Sequence, residues 1–146
     1  MASLTPEERD AVYDVLRRYI WCMDTGDIDG IAATFTTDGT VKDITGRRWD
    51  GEDAARRFAG HFIMRPNRPA GQHWVQHMQL EASSENEARV TSYWFTVVRD
   101  KDDDRNFVSN LGRYIDTCVR VDGRWLIKEK LIDPWNNETV LAAKAP

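Results

Sequence analysis

The sequence predicts an α+β fold: a cone-shaped α+β barrel in which about three helices of the N-terminal half pack on a curved, mostly antiparallel six-stranded sheet. Three segments of the N-terminal half place apolar residues at helical spacing. Four longer segments of the C-terminal half alternate polar with apolar residues. Helices followed by a run of strands indicate α+β rather than repeated βαβ units. A sheet that curls around the helices encloses an apolar pocket open at one end.

The first helix has clear signals at both ends. Thr5 is a suitable N-cap, Pro6 occupies the first helical position, and Glu8 completes a capping box. Gly26 is a natural residue to follow the last helical turn. An apolar stripe between these ends indicates the buried face and consists of Val12, Val15, Leu16, Tyr19, Ile20 and Met23.

Two further helices and two short strands complete the N-terminal half. Asp27 can cap a second, short helix over residues 28–35. A third helix is predicted over residues 52–64, where apolar residues again recur at helical spacing. Two short strands, at residues 40–44 and 47–49, are predicted on either side of a Thr-Gly turn.

The C-terminal half is predicted to form four long strands. They are expected at residues 73–82, 88–98, 107–121 and 124–132. An Asp-Gly hairpin signal joins the last two strands. No repeat or linker divides the chain, so we expect a single domain over residues 1–146, with a weakly structured C-terminal tail at residues 134–146.

Composition and spacing exclude several classes of function. The formal net charge is −4 and basic residues are scattered, so we expect no nucleic-acid partner. No segment has the apolar length of a membrane span or a signal segment, so we expect a cytoplasmic protein without a membrane partner. Cys22 and Cys118 have neither CxxC nor Cys/His spacing, and the histidines form no HxH or HExxH pattern. We therefore expect no metal and no cofactor.

Two of the three histidines lie on the first long strand. By strict alternation His73 and His77 share one face, whereas Trp74, Met78 and Leu80 share the other. A strand with imidazoles in its middle either meets solvent or lines a cavity, and His77 would line the pocket or be a hydrogen-bonded core residue. The opposite face would be an apolar surface, which predicts a homodimer through the outer face of the sheet.

Asp24 is an unusual residue at the end of the first helix. At about 100° per residue it lies beside Ile20, on the edge of the buried stripe. It also falls in the last turn, where the helix dipole disfavours a carboxylate. A solvent-facing acid at a frayed end, or a cap for the next turn, would be a structural explanation. A carboxylate that serves a pocket would be a functional one.

Three segments together resemble the SnoaL-like branch of the NTF2-like superfamily. They are YIWCMDTGD at the end of the first helix, QHWVQH in the first long strand, and the hairpin pieces GRYID and DGRWLI. The resemblance covers roughly residues 7–133 and implies the cone-shaped α+β fold. The superfamily includes isomerases, dehydratases, polyketide cyclases, a dehydrochlorinase and the small subunits of ring-hydroxylating dioxygenases, so the fold alone does not define a function.

The resemblance implies a His-Asp dyad. In scytalone-dehydratase-like and dehydrochlorinase-like members, an Asp at the end of helix one pairs with a His at the start of the middle strand. Asp24 and His73 match these two positions. Asp24 would orient His73, and a neutral imidazole is a competent general base near pH 7. The two-histidine dehydratases carry a further pocket histidine on a later strand, which is missing here unless His77 replaces it.

Other residues would complete the pocket. Tyr19, Tyr114 and Asn110 could each donate a hydrogen bond to a developing oxyanion. As structural alternatives, Tyr19 would be ordinary core and Tyr114 would anchor the hairpin. Aromatic side chains would form the walls, and the candidates are Trp49, Phe58, Phe62, Trp94 and Phe95.

These observations predict a cofactor-independent lyase or isomerase. The dyad would abstract a proton from an apolar cyclic small molecule, such as a polyketide, steroid or terpenoid, in an elimination, isomerisation or cyclisation. The alternative is a non-catalytic ligand-binding or assembly module, such as a small subunit resembling those of ring-hydroxylating dioxygenases. The two differ in their response to Asp24→Asn, which would impair an enzyme and leave a binding module unaffected.

Overall fold

The computed structural model describes residues 3–138, and their helices and strands follow the predicted order. The helices are α1 (Pro6–Thr25), α2 (Ile28–Ala33) and α3 (Ala54–Ile63). The strands are β1 (Phe35–Lys42), β2 (Arg48–Trp49), β3 (Gly71–Ser84), β4 (Glu87–Arg99), β5 (Asn106–Val121) and β6 (Arg124–Pro134). Three helices packed on a six-stranded sheet confirm the predicted α+β fold.

The sheet is mixed and open, with the strand order β2-β1-β6-β5-β4-β3. Strands β3 to β6 form an antiparallel meander. Strand β1 lies parallel to β6, with Val41 opposite Lys130, and pairs on its other side with β2. The sheet is therefore mostly antiparallel, and its two edges are β2 and β3.

Helix α1 lies across the inner face of the sheet, where it contacts β3 and β6. The predicted capping box is present: Thr5 accepts from the backbone of Glu8, whose side chain accepts from the backbone of Thr5. Gly26 ends the helix in the left-handed conformation, with a φ of 78°. The stripe of α1 is buried in the core, where Val12 is fully enclosed. The helix thereby brings its last turn to the start of β3.

Several element boundaries differ from the prediction, and strand β1 spans Phe35–Lys42 rather than residues 40–44. Helix α2 ends at Ala33 rather than at residue 35, because Phe35 opens β1 opposite Ile127 of β6. The backbone N–H of Ile127 also donates to the carbonyl of Thr34 at 2.8 Å. The predicted tail at residues 134–146 begins at Pro134, which is the last residue of β6, and residues 139–146 lie outside the described residues. No helix within residues 3–138 is long and apolar enough to cross a membrane.

A β-bulge at His77 corrects the predicted faces of β3. Pairing with β4 is regular up to Gln76 and resumes at Gln79, so two residues of β3 oppose one of β4. His77 takes a φ of 54°, which is uncommon for a residue other than glycine. After the bulge the alternation is reversed, so Met78 and Leu80 pack against the core instead of joining an outer face.

Candidate active site

A cavity of about 330 Å³ lies between the inner face of the sheet and helices α1 and α3. Its lining combines aromatic rings with a few polar side chains. From the predicted set, the structure brings together Tyr19, Phe58, Phe62, His73, Trp94, Asn110 and Tyr114. An apolar cavity with few convergent polar groups is the usual form of a small-molecule site.

Asp24 and His73 meet at the edge of this cavity. The ring Nδ1 of His73 lies 2.6 Å from Oδ1 of Asp24. The backbone N–H of His73 also donates to the carboxylate, 3.1 Å from each oxygen. These bonds compensate the carboxylate for its unfavourable position in the last turn of α1. Both side chains are largely enclosed, with 17% of Asp24 and 24% of His73 exposed.

The hydrogen bond to Asp24 determines which ring nitrogen of His73 can act as a base. A carboxylate only accepts, so Nδ1 carries the proton that it donates to Asp24. The lone pair of the neutral ring is then on Nε2, for which residues 3–138 supply no hydrogen-bond partner. His73 lines the cavity, with the Trp94 ring 6.3 Å away between centroids. The arrangement leaves one basic nitrogen for a bound molecule.

Tyr19 and Tyr114 provide two hydroxyl groups in the same cavity. Both residues are buried, and neither hydroxyl has a hydrogen-bond partner among the described residues. Burial, followed by the charges of Asp116 and Asp24, raises the pKa of Tyr19 well above its usual value. The pKa of Tyr114 is also raised well above its usual value, mainly by burial and to a smaller extent by the neighbouring Tyr19. Both groups therefore stay protonated and remain donors at neutral pH.

Three predicted pocket residues lie elsewhere. His77 is exposed and meets the edge of the Tyr93 ring on the outer side of the sheet, because the bulge turns it away from His73. Trp49 is buried one layer behind the cavity wall, with its ring centre 6.3 Å from that of Phe58. Phe95 stacks on Trp74 across neighbouring strands, on the face opposite the cavity.

A sequence model of the SnoaL-like domain matches residues 5–130. The chain belongs to the SnoaL-like family. No curated protein matches it in sequence.

Solved structures share this SnoaL-like fold over most of their length. Aln2 from a Streptomyces species has a TM-score of 0.81 at 23% identity, covering 97% of this chain and 99% of that one. A presumed scytalone dehydratase from Novosphingobium aromaticivorans has a TM-score of 0.75 at 25% identity, covering 88% of this chain and 85% of that one. ActVI-ORFA from Streptomyces coelicolor has a TM-score of 0.74 at 22% identity, covering 86% of this chain and 96% of that one.

Lys130 is a buried cation in contact with the two tyrosines of this SnoaL-like site, and its position was not predicted from the sequence. Its Nζ lies 4.3 Å from the ring centre of Tyr19 and 3.8 Å from that of Tyr114. The same atom is 2.9 and 3.2 Å from the carboxylate oxygens of Asp116. Burial raises the pKa of Asp116, and the charge of Lys130 opposes that effect. The buried ion pair therefore packs its cation against both tyrosine rings.

Asp43 also lines the cavity, yet its oxygens are already occupied. It accepts from Nε1 of Trp49 at 2.8 Å and from the hydroxyl of Thr45 at 2.6 Å. The backbone N–H groups of Thr45 and Arg47 add two further bonds. An Asp two residues before a Thr at a turn is a local signal that could have predicted this cap. Asp43 therefore organises the loop between β1 and β2 and has little capacity left for a ligand.

Arg65 and Arg68, in the loop between α3 and β3, line the open side of the cavity. Their position could not be predicted from the sequence, because loop residues show no periodicity that places their side chains. Within residues 3–138, no group of His, Cys, Asp and Glu is arranged to hold a metal ion.

Proposed function

We propose that the protein is a cofactor-independent enzyme in which His73, oriented by Asp24, removes a proton from carbon in an apolar cyclic molecule. One observation carries the proposal: Nδ1 of His73 lies 2.6 Å from the Asp24 carboxylate, while Nε2 is unpartnered on a ring that lines the cavity. A histidine held in one tautomer by a carboxylate is well suited to general-base catalysis.

The chemistry begins with transfer of a C–H proton to Nε2 of His73. The ring becomes an imidazolium, which the ionised Asp24 stabilises across the Nδ1 bond. If the carbon is adjacent to a carbonyl, the electron pair moves to the carbonyl oxygen. Tyr19 and Tyr114 are the donors available to that oxyanion.

The fate of the carbanion equivalent then defines the reaction class. Loss of a leaving group from the β-carbon is an elimination, and protonation at a different carbon is an isomerisation. Attack on a second carbonyl in the same molecule is a cyclisation. The name of one similar structure, a presumed scytalone dehydratase, favours elimination of water among these three. His77 lies outside the cavity, so this elimination would use His73 without the second pocket histidine of the two-histidine dehydratases.

The cavity favours a compact ring system as the substrate. Its walls include Phe58, Phe62 and Trp94, which offer flat apolar surfaces. A volume of about 330 Å³ is at the lower end of the range for small-molecule sites. A polyketide, steroid or terpenoid fragment of two or three rings matches these walls, and we propose that class.

Solvent deuterium exchange tests the proton abstraction without knowledge of the natural substrate. The probe is 2-tetralone, a bicyclic ketone with acidic carbon-bound hydrogens, followed by NMR in D₂O. We expect the wild-type protein to accelerate exchange and His73→Ala to lose about 10²-fold or more of that acceleration. His77→Asn is the matched control, because it alters a histidine outside the cavity and Asn tolerates the positive φ found there.

The outcome separates an enzyme from a binding module. Acceleration that persists in His73→Ala would contradict the proposed base. Wild-type protein that binds 2-tetralone, shown by a concentration-dependent fluorescence change, without accelerating exchange would support the non-catalytic alternative.

We also propose that two copies associate through the outer face of the sheet. Four apolar side chains of β3, β4 and β5 remain about half exposed there, and they are Trp74, Tyr93, Val108 and Leu111. Phe95 stacks on Trp74 and extends the same surface. A contiguous apolar surface of this kind is typical of an interface. A second copy is the proposed occupant because a two-fold dimer buries the same surface patch on both subunits.

A further inference from the structure

We propose that Arg65 and Arg68 form an anion subsite at the cavity opening, which binds a carboxylate carried by the substrate. The inference rests on the proposed function for the reaction that follows, but the binding step stands on its own. It adds to that function the chemical class of the substrate, a cyclic carboxylic acid.

Neither arginine has a carboxylate partner within residues 3–138, although both line the cavity. Several other arginines of the chain do have one: Arg56 pairs with Asp29, and Arg113 lies 3.3 Å from Asp133. Some other arginines, such as Arg57, also lack one, but among the arginines of residues 3–138 only Arg65 and Arg68 line the cavity. Two positive charges are thus left without a protein counter-ion beside one apolar space.

The two guanidinium groups are held in place by helix ends. Arg68 donates from Nη2 to the carbonyl of Met23 at 2.6 Å, in the last turn of α1. Arg65 donates from Nε to the carbonyl of Phe62 at 3.2 Å, at the end of α3. Each bond uses one of five guanidinium N–H groups, so donors remain for a ligand. Fixing the cation in advance reduces the entropy lost when an anion binds.

A purely structural role accounts for only part of this arrangement. Helix α1 has no basic residue in its own last turn, so Arg68 supplies the positive charge that its C-terminus favours. That role does not require Arg65 to line the same cavity, nor does it use the remaining donors. The acids of the cavity wall are not available as partners, because Asp24 is bound to His73 and Asp43 accepts bonds from its own loop.

A carboxylate on the ring system fits this subsite. Guanidinium groups bind carboxylates through two parallel hydrogen bonds. The ring system would lie against Phe58 and Trp94 inside the cavity, while the carboxylate would stay at the open side, where Arg65 is exposed and water is accessible. Met23, which Arg68 contacts, directly precedes Asp24, so the subsite adjoins the helix end that holds the dyad.

The test compares two probes of the same size and shape, one anionic and one neutral. Isothermal titration calorimetry measures the Kd of 2-naphthylacetic acid and of its neutral analogue 2-naphthylacetamide. We expect the wild-type protein to bind the acid at least about 10-fold more tightly, a difference of about 1.4 kcal/mol. Arg65→Gln and Arg68→Gln should each weaken acid binding several-fold and leave amide binding unchanged. Arg68→Lys should recover part of the affinity, because it keeps the charge but loses the two-bond geometry.

Arg57→Gln is the matched control, since this arginine of α3 also donates to backbone carbonyls but does not line the cavity. Equal Kd values for acid and amide in the wild type would overturn the subsite. An acid preference that survives Arg65→Gln combined with Arg68→Gln would overturn it as well. If Arg68→Gln fails to fold, as judged by circular dichroism, Arg65→Gln alone decides, because its side chain is exposed.

The same titrations in His73→Ala separate this inference from the proposed function. An acid preference retained in His73→Ala supports the subsite whether or not the wild type exchanges deuterium. Deuterium exchange that depends on His73, without any acid preference, would support the base and refute the subsite.

Discussion

The carboxylate of Asp24 holds His73 at two points, since it accepts hydrogen bonds from the ring Nδ1 and from the backbone N–H of the same residue. The backbone bond joins the end of α1 to the start of β3. The ring bond defines the tautomer of the imidazole. One side chain therefore combines a structural task with a chemical one, and a substitution that separates the two tasks is informative.

Asp24→Asn is expected to preserve the fold but to lower the exchange rate of 2-tetralone by about 10²-fold or more. The amide oxygen can still accept from the backbone of His73, whereas a neutral amide cannot stabilise the imidazolium. NMR in D₂O gives the rate, and the nitrogen shifts of the imidazole report its tautomer. Asp14→Asn is the control, because Asp14 is an exposed acid of the same helix. A rate within about two-fold of wild type would contradict the orienting role.

Tyr19→Phe and Tyr114→Phe test the proposed oxyanion donors. Removal of one donor to a developing oxyanion commonly lowers a rate by about 10²-fold. We expect a lower kcat for exchange with little change in KM and no loss of stability, because neither hydroxyl has a partner within residues 3–138. Tyr93→Phe, on the outer face of the sheet, is the matched control. Unchanged kcat in both cavity variants would exclude the hydroxyls from the chemistry.

The features of this fold that the sequence could predict are those set by local chemistry. The capping box at Thr5 and Glu8, and the turn at Gly26, depend on a few neighbouring residues, and all are present. The order of helices and strands followed from periodicity. The proximity of Asp24 and His73 followed from family resemblance rather than from spacing, because 49 positions separate them.

Strict alternation of inward and outward residues gave wrong faces where a strand contains a bulge. In β3, the bulge at His77 reverses the faces, so His77 leaves the pocket side and Met78 enters the core. In β6, the pairing skips one residue near Glu129, and Lys130 becomes the inward member of a charged run. Each bulge is defined by the pairing with the neighbouring strand. The sequence of one strand therefore does not show where the bulge lies, except where the apolar residues change from odd to even positions.

Lys130→Met is expected to destabilise the protein by about 3–5 kcal/mol, because it leaves the carboxylate of Asp116 buried without its cation. The double variant Lys130→Met with Asp116→Leu should recover most of that loss, since an apolar pair of similar volume removes both buried charges. Urea unfolding followed by fluorescence measures both values. Equal destabilisation in the single and double variants would show that packing around the two tyrosines, rather than charge, is responsible.

The pH dependence of stability should include a contribution from Asp43. Burial raises the pKa of this carboxyl, but hydrogen bonds from Thr45, Trp49 and the loop backbone outweigh it and lower the pKa below its usual value. The unfolded chain therefore takes up the proton first as the pH falls. The contribution is fully present above the unfolded pKa of about 3.9 and is lost as the pH falls through the lower folded value.

Urea unfolding of Asp43→Asn and wild type at pH 7 and pH 3 measures this contribution. We expect the variant to be less stable by about 2 kcal/mol at pH 7, the scale of hydrogen bonds to a charged group. The difference in the free energy of unfolding between Asp43→Asn and wild type should become smaller toward pH 3. Asp38→Asn, an exposed acid of β1, serves as the control. A difference that is the same at both pH values would refute a charge-dependent contribution.

Two exposed tryptophans allow a direct test of the proposed dimer. Trp74 lies on the outer face of the sheet and is 47% exposed, whereas Trp21 lies on α1 and is 72% exposed. Light scattering coupled to size-exclusion chromatography should give the mass of two chains for wild type and for Trp21→Glu. Trp74→Glu should give the mass of one chain, because a buried carboxylate without a partner disfavours association. A dimer that tolerates Trp74→Glu but dissociates with Trp21→Glu would move the interface from the sheet to the helix.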